Sequence, residues 1–130
     1  MRTLALALLL AATLLAGCGA DDEQPAPGSD GTQLRIVVTG AGGGPRAIEL
    51  DCGSGAPCRR RDLDRLAEIF APDDPARACT EIYGGPEKAH VSGRLEGQIV
   101  DLTINRSDGC GISDYELLFD VLGREPPLAH

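Results

Sequence analysis

The sequence predicts an α+β domain: an antiparallel sheet of about four or five strands, two helices packed on it, and two disulfides. Three observations predict it. Apolar side chains recur at every second residue in several runs, the period of a half-buried strand. Two other runs carry apolar residues three and four apart, the spacing of an amphipathic helix. Clusters of glycine, proline and aspartate separate the runs.

The first strand is read from Leu34, Ile36 and Val38, which alternate with Arg35, Val37 and Thr39. Gly40-Ala41-Gly42-Gly43-Gly44-Pro45 breaks it. No Gly-Lys-Ser/Thr follows and no helix opens there, so the run is a hairpin connection and not a phosphate cradle. Arg46 to Asp51 resumes as a strand with Ile48 and Leu50 on one face. Asp62 to Phe70 is the first helix, with Leu63, Leu66, Ala67 and Phe70 forming one stripe; Arg59-Arg60-Arg61 is its solvated start. Pro72 and Asp73-Asp74-Pro75 stop it. Ala89, Val91 and Leu95 share a strand face, and His90 points the other way as a surface residue. Glu96-Gly97 is a tight turn, and Val100, Leu102 and Ile104 line the returning strand. The form Ser113-Asp114-Tyr115-Glu116 is that of a capping box and predicts the start of the second helix. Its buried stripe is Tyr115, Leu118, Val121 and Leu122, and Gly123 with Pro126-Pro127 ends it.

The front of the chain has different physics. Met1-Arg2 is followed by an apolar run from Leu4 to Leu15, too short to cross a bilayer comfortably. Leu15-Ala16-Gly17-Cys18 closes it and looks like a bacterial lipobox, so residues 1–17 read as a lipoprotein signal and Cys18 as the acylated residue. The plainer alternative is a secretory signal with an incidental cysteine. Residues 18–32 are rich in Asp, Pro, Gly and Ser and read as the lipidated cysteine and a flexible tether. Asp21-Asp22-Glu23 lacks the spaced ligands and turn glycine of a calcium loop. Residues 33–123 form the single domain and 124–130 a C-terminal tail.

The chain has five cysteines. An odd count in a secreted protein needs an explanation, and acylation of Cys18 supplies one. Cys52, Cys58, Cys79 and Cys110 remain, enough for two disulfides in an oxidising compartment, with three connectivities open. No Cys-x-x-Cys occurs and His90 and His130 are far apart, so no metal and no cofactor is expected. The net charge is −8 and the only basic run is Arg59 to Arg61, which argues against nucleic acid as a partner. Of the 12 basic residues all but Lys88 are arginine, the bias of a GC-rich genome such as an actinobacterium's. The Asn105-Arg106-Ser107 sequon has little meaning in a bacterium.

The most distinctive stretch is Cys79-Thr80-Glu81-Ile82-Tyr83-Gly84-Gly85-Pro86, followed by Ala89, Val91, Gly93, Gly97 and Val100, then Arg106, Asp108-Gly109-Cys110 and Ile112. From Leu34 to Leu122 the chain resembles the Streptomyces subtilisin inhibitor-like family of serine protease inhibitors. Many members have the form Cys-Thr-x-x-Tyr-Gly-Gly-Pro, later Gly-Cys-Glu-Ile. The resemblance implies the pairings Cys52–Cys58 and Cys79–Cys110. By the chain-entropy argument these contribute roughly 2.4 and 3.7 kcal/mol, useful to a small core.

The resemblance further implies a rigid loop offered to the protease as a substrate. The reactive bond falls between Glu81 and Ile82, with Thr80 and Tyr83 flanking it. The protease serine attacks that bond, and because the loop is rigid the ends stay together and the bond re-forms. Family members effective against subtilisin generally carry Met or Lys where this chain has Glu81; Glu is common in the family where it has Gly111, and Trp where it has Tyr115. The loop between Cys52 and Cys58 is also shorter than usual.

Two functions follow as expectations. One is a lipid-anchored inhibitor on the extracytoplasmic face of a bacterial membrane, with a serine protease, subtilisin-type or Glu-accepting, as partner, and a homodimer allowed. The other is a non-inhibitory binding or structural lipoprotein on the same scaffold. An enzyme is not expected, since no Gly-x-Ser-x-Gly or His-Glu-x-x-His occurs.

Overall fold

Alternation decides the sheet. In the computed structural model, which describes residues 31–52 and 58–129, four strands pair antiparallel: β1 (Gln33–Thr39), β2 (Arg46–Asp51), β3 (Lys88–Leu95) and β4 (Gln98–Asn105). Their order is β2-β1-β3-β4. The signal, Cys18, the tether up to residue 30 and the residues between Cys52 and Cys58 lie outside the described residues. Leu34, Ile36, Val38, Ala89, Val91, Leu95, Val100 and Ile104 are buried on one face. The register sets Ile36 opposite Val91 and Ala89 opposite Ile104, so the apolar rows coincide and a one-residue slip would turn them to water. Glu96 and Gly97, both with positive φ (48° and 81°), make the tight β3–β4 turn, whose twist matches the flanking strands.

Two helices, α1 (Arg60–Ile69) and α2 (Gly109–Val121), cover that face. Leu66, Tyr115, Leu118 and Phe119 join the strand residues in one core. Two readings are corrected. Ala67 is exposed; α1 is buried at Leu66 and partly at Leu63, Ile69 and Phe70, so the stripe turns away from Ala67. And α2 begins a turn earlier than the Ser113 box predicts. Asp108 is its N-cap, accepting from Gly111 N–H at 2.8 Å, and Ser113 is an exposed helical residue. Asp108, just beyond the end of β4 at Asn105, satisfies the orphan N–H first, leaving the Ser-x-x-Glu pattern with no end to cap. At the other terminus Gly123 N–H donates to the Asp120 carbonyl and Arg124 N–H to that of Phe119, both at 3.0 Å, a Schellman stop.

The outer face of the sheet is polar. Arg35 pairs with Glu49 at 2.6 Å and His90 meets Asp101 at 2.8 Å, so the outward histidine has a neighbour the sequence did not reveal. The described chain enters beside the β3–β4 turn, where the Gly31 carbonyl accepts from Gly97 N–H. The segment 79–86 lies at the opposite end of the sheet, leading into the start of β3.

Candidate functional site

Between α1 and β3 the chain has no regular structure, and every residue from Ala71 to Tyr83 is exposed. What gives residues 79–86 a shape is their attachment to one short stretch, 105–114, where β4 turns into α2. The N-terminal leg has three ties. Arg77 makes paired hydrogen bonds to Asp114 at 2.9 and 3.0 Å. Cys79 is disulfide-bonded to Cys110. The Thr80 carbonyl accepts from Gly109 N–H at 2.9 Å. On the C-terminal leg Gly84 N–H donates to the Arg106 carbonyl at 2.8 Å. Beyond it Gly85, at φ 138°, lies where an added Cβ would strike the Glu87 carboxylate; only glycine combines that φ with that approach.

Three residues span the gap between these ties, Glu81, Ile82 and Tyr83, all exposed. Ile82 is 59% and Tyr83 69% exposed, two of four large apolar side chains left open among the described residues. The Glu81 carboxylate has no hydrogen bond or ion pair among the described residues. The structure thus gathers Thr80, Glu81, Ile82 and Tyr83 into one loop over the Cys79–Cys110 disulfide. It also forms Cys52–Cys58. Both pairings are those the resemblance implies.

Cys79, Asp108 and Cys110 are the one trio of close potential metal ligands among the described residues, and two of them are spent on the disulfide, which leaves no thiolate to coordinate. A groove of about 590 Å³ runs beside the loop between residues 69–79 and the edge strand β4. Gly111 packs against the end of β4: a Cβ there would collide with the Asn105 carbonyl.

Sequence reading missed what lies under the C-terminal leg. Glu87 and Arg106 form a buried ion pair at 2.8 Å, with side-chain exposures of 2% and 9%. The arginine carbon lies 5.6 Å from the centre of the Tyr115 ring, a cation–π distance. The other Glu87 oxygen accepts from Ala129 N–H at 2.5 Å, and Tyr115 donates its hydroxyl to the Pro127 carbonyl at 2.9 Å. Burial pushes the Glu87 carboxyl up, but the hydrogen bonds from Ala129 and Arg106 outweigh it and hold it below the usual range. Burial, with the Glu87 charge beside it, pushes the Tyr115 phenol up to about 12, so it stays a donor at neutral pH. A signal for the pair was present. Glu87 precedes Ala89 and Val91, and Arg106 follows Ile104, each in the parity of the buried face. Lys88 faces Asn105, so the two charges meet one rung beyond the ladder.

No protein-family model, curated protein or solved structure matches this chain.

Proposed function

We propose that this protein is a membrane-anchored, extracytoplasmic inhibitor of serine proteases that offers the Glu81–Ile82 bond on a disulfide-pinned loop. The observation that carries the reading is the attachment of both loop legs to residues 105–114, with only Glu81, Ile82 and Tyr83 exposed between them. A segment held this way loses little entropy on docking, which lets a standard-size interface bind tightly. It also keeps the two sides of a cut bond together. The protease serine would attack the Glu81 carbonyl, with Glu81 in the primary specificity pocket and Ile82 and Tyr83 on the leaving side. A pocket that pairs a carboxylate suits Glu81; an apolar one leaves a buried charge unpaired.

Acylation at Cys18 would supply the anchor, burying CH₂ groups at about 0.8 kcal/mol each. The described chain enters at the sheet end away from the loop. Strand β3, with 8 residues, spans about 25 Å at roughly 3.3 Å per residue. The loop would therefore stand off from the membrane side of the domain. The test is inhibition: the oxidised mature protein should slow a Glu-specific serine protease in proportion to its concentration. The exposed, unpaired Glu81 beside Ile82 and Tyr83 favours one second reading, a non-inhibitory binding lipoprotein that uses the same loop as a docking surface. Binding of a non-protease partner through Ile82 and Tyr83, with no protease inhibited, would select it.

A further inference from the structure

Residues 124–129 follow the helix stop and carry no regular structure, yet two of their backbone groups are tied into the support of the loop. The Pro127 carbonyl accepts from the Tyr115 hydroxyl, and Ala129 N–H donates to Glu87. Glu87 in turn holds the Arg106 guanidinium, and the Arg106 carbonyl holds Gly84. Arg106 Nε is buried with no hydrogen-bond partner, so the guanidinium depends on the one carboxylate and the Tyr115 ring for its position. Pro126 and Pro127 restrict the strap's own backbone, which reduces the entropy lost in laying it down. The contact to Glu87 is charge-assisted and stronger than a neutral hydrogen bond.

We propose that the C-terminal segment is a strap that positions the loop's C-terminal leg: it fixes Glu87, Glu87 fixes Arg106, and Arg106 holds Gly84. Glu87, Arg106 and Tyr115 are positioning residues; none touches the reacting bond. The consequence for activity rests on the inhibitor reading. When the protease serine attacks, the Glu81–Ile82 C–N bond breaks, an ester to Glu81 forms, and the proton taken from the serine passes to the Ile82 nitrogen. Re-ligation is the reverse and requires that amine to stay beside the ester. The C-terminal leg carries it. A loose leg lets the amine leave, and water then hydrolyses the ester to a Glu81 carboxylate and free serine. Without its strap the protein is a substrate instead of an inhibitor.

The test uses the mature chain made unacylated by Cys18→Ala, with three changes made separately: Tyr115→Phe, Ala129→Pro, and a stop after Glu125. The first removes one hydroxyl, the second one N–H, the third the strap. Two quantities are read, hydrogen exchange at the Gly84 amide and cleavage at Glu81–Ile82 by a Glu-specific serine protease. Loss of the strap should speed Gly84 exchange by about tenfold while Ile36 and Val91 change less than about twofold, the mark of a local opening. Cleavage should rise by about tenfold or more as the amine's effective concentration falls. The single changes should move both in the same direction by less. Gly84 exchange unchanged in folded variants overturns the strap, and so does a rise shared equally by Val91, which is global destabilisation. If the truncated chain does not fold, the two single changes decide. Faster Gly84 exchange in a protein that inhibits no protease leaves the strap standing and removes the inhibitor reading alone.

Discussion

Arg106→Met removes a cation from beneath the loop and leaves the Glu87 carboxylate buried with only backbone N–H donors, those of Ala129 and Glu87 itself. Its cost can be worked from the site. Glu87 is 2% exposed, so an unpaired charge there is untenable and the carboxyl takes a proton instead. Protonating a group of ordinary pKa 4.5 at pH 7 costs about 3.4 kcal/mol, at 1.36 kcal/mol per unit. That agrees with the roughly 3–5 kcal/mol for breaking a buried pair at one end, and it is a large share of the roughly 5–15 kcal/mol that stabilises a domain. Urea unfolding should show it: at an m-value of about 1.5 kcal/mol/M the midpoint falls by about 2 M. The penalty carries a pH signature. In the variant the folded Glu87 pKa lies above the unfolded one, so the loss grows as pH rises above about 4.5 and shrinks as pH falls toward and below it. Adding Glu87→Leu should recover most of the loss, because a buried pair replaced by apolar groups is often near neutral; the partnerless Arg106 Nε goes too, and exposed Ala129 can bond to water. A loss below about 1 kcal/mol at pH 7, or one that does not shrink toward pH 4.5, refutes the assignment of a buried charged pair.

Three further outcomes follow from the same contacts. Replacing Cys79 and Cys110 together with serine removes a cross-link between residues 31 apart, worth about 3.7 kcal/mol by chain entropy; calorimetry should show a lower Tm, and cleavage after Glu81 should quicken because two non-covalent ties alone hold the N-terminal leg. In the wild type the folded Glu87 pKa lies below the unfolded one, so the unfolded chain takes up the proton first and stability falls as pH drops below about 4.5; a urea midpoint constant from pH 5 to 3, or an identical fall in Glu87→Gln, contradicts this. Cys18→Ala should move the protein from the membrane to the soluble fraction, since acyl chains are the proposed attachment; retention after a salt wash contradicts the anchor.

Legibility differed by the physics involved. The sheet could be read because its two-residue period admits one inward face, and Leu34, Ile36, Val38, Ala89 and Val91 all fall on it. The Glu96-Gly97 turn was legible for the same local reason. The start of α2 was misread because Ser113 and Glu116 form a capping pattern that is local in sequence, while the real cap, Asp108, is chosen by where β4 ends and where Cys110 must sit to reach Cys79. The disulfide pairing came from resemblance, since spacing leaves three connectivities. The Glu87–Arg106 pair escaped because charged residues are not counted as core, although their strand parity placed them inward. The contacts of Pro127 and Ala129 were invisible, as both act through backbone groups that carry no side-chain signal.

The measurement that bears most directly on the account is a titration of the oxidised, unacylated mature protein against a Glu-specific serine protease and against subtilisin, with Glu81→Met and Glu81→Lys beside it. Each protein must first show the wild-type Tm. The account predicts that the wild type inhibits the Glu-specific enzyme best. Either substitution should improve inhibition of subtilisin by at least about tenfold, or roughly 1.4 kcal/mol, because an unpaired carboxylate no longer enters an apolar pocket. If all three proteins are folded and none inhibits a serine protease at micromolar concentration, the loop is not a reactive site, and residues 79–86 are a disulfide-pinned turn on a binding lipoprotein.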